Sequence, residues 1–377
     1  MLQQPPLPWT SETPPHFDAA EDAWIVCSYA DVENVLLGAY DFSWEVRDRN
    51  ADPVFAGMWN ADGQRHDDLR RLVQPYFQPR RILAMQAQIE DIINALIDDI
   101  LEASSDTVDI VRELADPLGG RFTSALAGID PDDISQLTRW RRERQSALNN
   151  GLSTDHPDLR DYYTRLIERR RREPEDTLLD HLLAAQREGY LVDGEPLTDW
   201  DVMGAMMTSV SPGLTGAKLG PVLAGLASHG LLDAARNDPA LVDGAIEETM
   251  RLYPALPVMR VRARHDVPLG GVTVPAGALV QACISTANLD PGHFPEPERF
   301  DPTRTPNRHL SFGCGAHHCL GASLVRTEIR IGVAALLKRL PGLRLDTSKP
   351  VRHTYGRVVG GAFEATFRFD RPEVSRP

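Results

Sequence analysis

The residues best suited to chemistry lie in a glycine-rich segment late in the chain. Residues 311–321 read Ser-Phe-Gly-Cys-Gly-Ala-His-His-Cys-Leu-Gly, and Cys319 directly precedes a predicted helix over 320–340. The amino end of a helix favours negative charge, so a thiolate is stabilised there. Glycines let the backbone approach a flat cofactor and direct N–H groups at the sulfur. We therefore interpret Cys319 as a thiolate that binds an iron centre from one side and leaves the other side free.

A structural zinc site is the alternative for this segment, because cysteine and histidine are common zinc ligands. The candidate donors would be Cys314, His317, His318 and Cys319. Four donors within six residues, the last three consecutive, make a poor tetrahedral chelate, and the sequence has no second cluster of such residues. The pattern favours the iron-thiolate interpretation.

The spacing of this segment resembles the haem-binding loop of the cytochrome P-450 family, Phe-Gly-x-Gly-x-His-x-Cys-x-Gly. Its fixed positions are filled here by Phe312, Gly313, His317, Cys319 and Gly321, together with the glycine between them. The resemblance extends over nearly the whole chain. It implies haem b as the cofactor, Cys319 as the axial ligand of the iron, and activation of O₂, because a thiolate ligand favours cleavage of the O–O bond.

Further residues resemble those that hold the haem propionates in the family. His66 and Arg70 are four residues apart, on one face of a predicted helix, and resemble the family's His-x-x-x-Arg. His317 matches the third propionate contact. The fourth is an arginine after the Glu-x-x-Arg motif, where Arg260 fits the spacing and Arg262, with the same strand parity, is the alternative. Cationic and N–H donors suit this position because propionates are anionic.

Glu248 and Arg251 form the Glu-x-x-Arg motif of the family. Taken alone, they would be a surface ion pair of little energetic consequence. Arg299 resembles the family's third partner, so the resemblance implies a buried Glu248–Arg251–Arg299 triad behind the haem loop. Buried charges persist only when they are fully paired, and we interpret the triad as fold-specifying and not catalytic.

The long central helix predicted over 201–228 departs from the family pattern. Pro212-Gly213 must interrupt its hydrogen bonds, and relatives carry an acid followed by a threonine at this break, where the pair delivers protons to O₂. In the best register Thr215 takes the alcohol position and Leu214 takes the acid position. No register places Asp or Glu next to Thr215.

Leucine cannot act as a general acid, so three reactions stay open. The first is ordinary monooxygenation, in which Thr215 and water, or a polar group of the substrate, relay protons. The second is oxidative coupling or ring formation, and the third is rearrangement or reduction at the iron without O₂ cleavage. A binding or recruitment module with this fold but no turnover is a rival interpretation, which the altered helix favours and the intact haem loop disfavours.

The expected substrate is a small hydrophobic or peptide-like secondary metabolite, either free or bound to a carrier. Its pocket is predicted by position only, and an apolar lining is the default for such sites. The predicted lining residues are Met207, Val210, Leu256, Val258 and Gly361.

The whole chain, residues 1–377, is predicted to be a single mainly α domain with a minor β-sheet region, since 66–190 is helical in pattern and 261–280 is strand-rich. A net charge of −14 argues against a nucleic-acid partner. The sequence has no run of eighteen apolar residues and does not begin like a signal peptide or anchor, so we expect a soluble, cytoplasmic protein without a membrane partner.

Electrons are expected from a separate ferredoxin- or flavodoxin-type protein, as the resemblance implies. This donor should dock near Cys319, because cationic residues follow it on the predicted helix and would attract an acidic protein. They are Arg326, Arg330, Lys338 and Arg339.

Overall fold

The computed structural model describes residues 8–209, 218–353, 356, 359 and 363–371. Within these residues the chain forms fourteen α-helices and fourteen short strands, which confirms the predicted mainly α fold with minor sheets. In the same residues no helix is long and apolar enough to cross a membrane.

The helices, numbered in chain order, are α1 (Tyr29–Leu37), α2 (Gly63–Val73), α3 (Pro79–Ala84), α4 (Gln86–Glu102), α5 (Asp116–Ala127), α6 (Ile134–Asn149), α7 (Pro157–Arg172), α8 (Leu178–Arg187), α9 (Asp199–Ser209), α10 (Leu219–Ser228), α11 (Leu232–Ala235), α12 (Pro239–Leu252), α13 (Ile284–Ala287) and α14 (Ala322–Arg339). Short 3₁₀ turns span Pro53–Ala56, Met58–Asn60, Gln74–Phe77, Pro131–Asp133 and Gly315–His317, and a π-helical turn spans Val111–Ala115.

The strands are β1 (His16–Asp18), β2 (Ala23–Val26), β3 (Phe42–Ser43), β4 (Thr107–Asp109), β5 (Leu191–Val192), β6 (Glu195–Pro196), β7 (Met259–Ala263), β8 (Val267–Leu269), β9 (Val272–Val274), β10 (Leu279–Ala282), β11 (Arg344–Leu345), β12 (Arg352–His353), β13 (Phe363–Glu364) and β14 (Thr366–Arg368). The largest sheet has the order β1-β2-β10-β7-β3, in which β2 and β10 are parallel and the other pairs are antiparallel.

Local sequence explains where α12 begins, whereas a contact with a preceding segment fixes the chain at the start of α2. At α12, the Asp238 side chain accepts hydrogen bonds from the N–H groups of Ala240 and Leu241, and Pro239 occupies the first turn. Both features satisfy or remove N–H groups that a helix start leaves unpaired. At α2, Asp62 does not cap its own helix. Its carboxylate accepts from the Trp44 N–H at 3.0 Å, which ties the chain after β3 to the start of α2.

Two large apolar clusters and one small one form the core of the described residues. The largest joins α4, α5, α8, α9, α10, α12 and α14, and the second lies between α1 and the five-stranded sheet. α9 packs closely against the turn Pro53–Ala56. Gly204 permits this approach, since a Cβ atom there would lie 2.5 Å from the carbonyl oxygen of Pro53. The packing holds residues 53–60 against the first half of the predicted central helix.

Candidate active site

The loop that carries Cys319 folds back on itself before α14. The Cys319 N–H donates to the Phe312 carbonyl oxygen at 2.8 Å, and the Gly313 N–H donates to that of Leu310, also at 2.8 Å. Gly313 and Gly315 both have φ of +66°, a conformation that side chains other than glycine rarely adopt. The local sequence therefore produces a compact loop in which the Cys319 side chain is exposed.

Opposing effects act on the Cys319 thiol. Desolvation by the surrounding protein raises its pKa, while the N–H groups of Gly321 and Ala322 and the charges of Arg70 and Arg326 act in the opposite direction. Desolvation prevails, and the thiol is protonated at neutral pH in the absence of a metal. A bound cation would displace this proton, and the N–H groups and guanidinium groups would then stabilise the thiolate.

α2 brings its two predicted propionate ligands to this loop. The His66 ring lies 4.2 Å from that of His317, centroid to centroid, and His317 stacks on Trp44 at 4.1 Å. Arg70 Nη2 donates to the carbonyl oxygen of His318 at 3.0 Å. Burial, with the nearby His66 and Arg70, lowers the pKa of His317 to about 3, so its ring is neutral. The structure thus brings His66, Arg70 and His317 together beside Cys319.

Two of the predicted propionate ligands carry a buried nitrogen atom without a partner in the described part of the chain, as expected of residues that bind an anion. His66 Nε2 and Arg260 Nε are both buried, and neither has a hydrogen-bond partner among the described residues. Arg260 lies 3.7 Å from Glu21 Oε2, a long ion pair, and its pKa is lowered by burial and by the charge of Arg47. Leaving such groups unpaired is costly. A carboxylate would accept a hydrogen bond from Arg260 Nε–H. It would accept one from His66 Nε2 when that ring carries both protons, because His66 Nδ1 already lies 2.9 Å from the Asp67 carboxylate. The residues present therefore fit a haem, with an exposed thiol for iron and unpaired nitrogens for propionates.

Arg260 and Arg262 have different surroundings although they share one side of β7. The Arg262 side chain is exposed, and its Nη1 donates to the Gly277 carbonyl oxygen at 2.7 Å. Arg260 pairs in the sheet with Gln281 and keeps its Nε unpaired. Because Arg262 already has a partner, Arg260 is the better candidate for the propionate contact.

The Glu248–Arg251 pair is buried as predicted, but its third guanidinium is not that of Arg299. Glu248 and Arg251 are both 0% exposed and form two hydrogen bonds, of 2.7 and 2.8 Å. The Arg299 side chain is exposed and pairs with Glu296 at 2.9 Å. Arg299 contributes only its backbone carbonyl oxygen, which accepts from Arg251 Nη2 at 3.2 Å. The predicted role of the Arg299 side chain is therefore corrected.

Arg304 and Asn307 complete the pairing of Glu248 instead. Arg304 Nε donates to Glu248 Oε1 at 3.1 Å, and Asn307 Nδ2 donates to Oε2 at 3.0 Å. We call Glu248, Arg251, Arg304 and Asn307 the Glu248 network. Sequence reasoning missed its last two members because they lie in an irregular loop without any periodicity to relate them to α12.

The cationic face predicted for an electron donor is largely neutralised. Arg326 pairs with Glu247 at 2.6 Å, Arg330 pairs with Asp243 at 2.5 Å, and Arg339 pairs with Asp98 at 2.5 Å. Only Lys338 of the four residues lacks an ion pair within the described part of the chain. The expectation of a positive surface failed because α12 and α4, which pack against α14, present carboxylates to it.

The predicted pocket residues fall into three groups. Met207 and Leu256 are half-buried. Val258 is 4% exposed and packs in a small cluster with Ile25, Cys27 and Cys283, so it is a core residue and not a surface that a substrate could reach. The remaining distal candidates lie outside the described residues; they are Val210, Leu214, Thr215 and Gly361.

Trp44 and Glu247 are site residues that sequence reasoning did not assign. Trp44 stacks on His317, and Glu247 binds Arg326, whose guanidinium lies over the Phe312 ring of the Cys319 loop. Neither belongs to a motif whose spacing would reveal the contact. Across the described ranges, no three His, Cys, Asp or Glu side chains are grouped as they would be to hold a metal ion.

This chain is similar to several known proteins. The sequence model described as Cytochrome P450 matches residues 233–352. Cytochrome P450 107B1 of Saccharopolyspora erythraea is 35% identical, over 87% of this chain and 84% of its own length. Mycinamicin IV hydroxylase/epoxidase of Micromonospora griseorubida is 32% identical, over 91% of this chain and 89% of its own length. The crystal structure of CYP109E1 from Bacillus megaterium in complex with testosterone superposes with a TM-score of 0.86, at 27% identity and 95% coverage of both chains.

Proposed function

This chain belongs to the cytochrome P450 family, and we propose that it oxidises a small hydrophobic or peptide-like secondary metabolite, free or carrier-bound. It is a monooxygenase-type oxidoreductase with haem b as its cofactor. We further propose that a separate ferredoxin- or flavodoxin-type protein supplies the electrons and that the enzyme acts in the cytoplasm.

One observation supports the proposed site: the exposed Cys319 thiol lies in the loop whose His317 ring is 4.2 Å from that of His66, and the buried His66 Nε2 has no partner among the described residues. We propose that His66 and Arg260 bind the propionates together with Arg70 and His317, and the unpaired nitrogens His66 Nε2 and Arg260 Nε support this role. When bound, the haem supplies activation of O₂, and a thiolate ligand favours cleavage of the O–O bond. The chain's own part would be to stabilise the Cys319 thiolate once iron is bound, through N–H groups and guanidinium groups, and to orient the cofactor through its carboxylates.

Proton delivery is the atypical part of the proposal. Leu214 replaces the usual acid and has no proton to give, so the relay must use the Thr215 hydroxyl with ordered water, or a polar group on the substrate. The names of relatives such as the hydroxylase/epoxidase favour oxygen insertion over coupling, rearrangement or reduction.

The first experiment is a screen of the purified ferric protein with small metabolites, free and carrier-bound, for a shift of the haem from low to high spin. A shift with one class identifies the substrate type, and the mass of the product then shows whether one oxygen atom was gained. If no compound shifts the spectrum of protein that gives the thiolate-type carbon monoxide spectrum, the binding-module interpretation is favoured.

Thr215→Ala tests the proton relay once a substrate is known. Loss of the hydroxyl should lower the product formed per electron consumed, while Thr215→Ser, which keeps the hydroxyl, should preserve this ratio. Equal ratios in the wild type and the alanine variant would move the relay to the substrate or to water.

A further inference from the structure

Glu247, His309 and Arg326 form a charged cluster beside the Cys319 loop, here called the Glu247 cluster. Arg326 Nε and Nη2 donate to the two oxygens of the Glu247 carboxylate at 2.6 and 2.7 Å. His309 Nε2 lies 3.3 Å from Glu247 Oε2. Burial alone would raise the pKa of Glu247, but these partners lower it to about 2, so Glu247 is charged at every physiological pH. A bidentate pair of this kind holds the guanidinium in one orientation.

This orientation places the Arg326 charge against the haem loop. Its Cζ atom lies 4.5 Å from the centre of the Phe312 ring, a cation–π distance. The Phe312 carbonyl oxygen accepts a hydrogen bond from the Cys319 N–H at 2.8 Å. This bond holds the residue that carries the ring next to the residue that carries the sulfur. Arg326 is also among the groups whose charge acts on the Cys319 sulfur. The free energy of a negative charge at that sulfur therefore depends on the charges of the Glu247 cluster.

We propose that the charges of this ion pair tune the reduction potential of the iron bound by Cys319: Arg326 raises the potential, and the carboxylate of Glu247 opposes that effect. The inference rests on the proposed function, because Cys319 must be the iron ligand. Reduction adds one electron to ferric iron and gives ferrous iron; no bond breaks, no proton moves, and the site becomes more negative by one charge. A nearby positive charge stabilises the reduced state, and the Glu247 carboxylate partly offsets it.

The two halves of the pair should shift the potential in opposite directions. Arg326→Gln leaves the Glu247 charge unpaired and should lower it, whereas Glu247→Gln leaves the Arg326 charge and should raise it. The double variant should lie between them. Each single shift should correspond to about a threefold to tenfold change in the reduction equilibrium, tenfold being about 59 mV for one electron. A purely structural role would not give opposite signs.

The chain offers a matched control one helical turn further from Cys319. Asp243 and Arg330 lie four residues from Glu247 and Arg326 on the same two helices, and they form an ion pair of 2.5 Å with both side chains exposed. Solvent screens such a pair. Asp243→Asn and Arg330→Gln should leave the potential at the wild-type value.

The measurement is a spectroelectrochemical titration of the substrate-free holoenzyme, in which an electrode and mediators supply the electron, with a carbon monoxide spectrum recorded for every variant. Arg326→Lys keeps the positive charge, so its potential should stay near the wild-type value. If Arg326→Gln does not retain haem, Arg326→Lys and Glu247→Gln together still test the inference. Shifts of the same sign in Arg326→Gln and Glu247→Gln, or equal shifts in the control pair, would overturn the inference. A wild-type protein without the thiolate-type spectrum would instead overturn the proposed function.

Discussion

At the residue scale, the two thiols of the haem loop differ in what surrounds them. Burial and the charge of Glu33 raise the pKa of Cys314 to about 11, which keeps it a protonated thiol. Desolvation raises the pKa of Cys319 as well, but backbone N–H groups and two arginines oppose that rise and would stabilise its thiolate, whereas Cys314 has no such partners among the described residues. Since the thiolate is the form that binds metal, the surroundings select Cys319.

Replacing each thiol in turn tests this selection. Cys319→Ser should abolish the thiolate-type carbon monoxide spectrum, because a serine oxygen cannot replace sulfur as a strong electron donor to iron. Cys314→Ser is the matched control from the same loop and should keep the spectrum. An unchanged spectrum in Cys319→Ser would refute the ligand assignment.

The two arginines of β7 allow a similar test of propionate binding. Arg260→Ala should weaken haem retention by about tenfold or more, because a charge-assisted hydrogen bond contributes about 1.5–3 kcal/mol. Arg262→Ala removes an exposed side chain that binds a backbone carbonyl group, and it should leave retention unchanged. Haem transfer from the holoenzyme to apomyoglobin measures both. Faster transfer from Arg262→Ala alone would reverse the assignment.

At the scale of elements, the Glu248 network joins α12 to the loop before the haem-binding segment. The buried Glu248 carboxylate accepts from Arg251, Arg304 and Asn307 and from the Asp301 N–H. Such full pairing offsets the cost of removing a charged group from water. The loop over residues 295–307 is therefore held to α12 by charge pairing as well as by packing.

Arg304 and Arg299 can be compared directly, because the network needs one side chain and not the other. Arg304→Ala should lower the free energy of unfolding by on the order of 3 kcal/mol, since it removes one partner of a buried charge. Arg299→Ala should change it by less than about 0.5 kcal/mol, as expected for an exposed pair. Denaturant unfolding of the holoenzyme measures both values. A larger loss in Arg299→Ala would restore the triad predicted from sequence.

At the scale of the whole molecule, Lys218 links stability to pH. It is 7% exposed at the amino end of α10, where the helix dipole also disfavours a cation. Burial lowers its pKa from 10.5 to about 8, and no carboxylate within the described residues pairs with it. The folded protein thus carries a buried ammonium group at neutral pH that the unfolded chain would expose to water.

The sign of the pH effect follows from proton counts in the two states. Between pH 8 and 10.5 the unfolded chain keeps the Lys218 proton while the folded protein releases it, so stability from this group rises with pH across that window. Lys218→Met should remove the rise and stabilise the holoenzyme at pH 7 by on the order of 3 kcal/mol. Denaturant unfolding at several pH values measures this, with the exposed Lys338→Met as control. Destabilisation of Lys218→Met at pH 7 would show that the amine has a favourable role.

Much of the site could be predicted from sequence because it depends on short spacings. Phe312 to Gly321 lie within one loop, so their order along the chain largely determines how the backbone surrounds the thiol. His66 and Arg70 share a helix face through the helical period alone. The fold class followed from the same local patterns, together with the family resemblance that these motifs carry.

The tertiary structure decided which distant charges meet. Arg304 and not Arg299 reaches Glu248, Arg260 and not Arg262 keeps an unpaired nitrogen, and the arginines of α14 find carboxylates on neighbouring helices. Long cationic side chains are chemically alike in a sequence. Their partners depend on which helix, loop or strand packs beside them, and that arrangement is set by the burial of apolar surface across the whole chain.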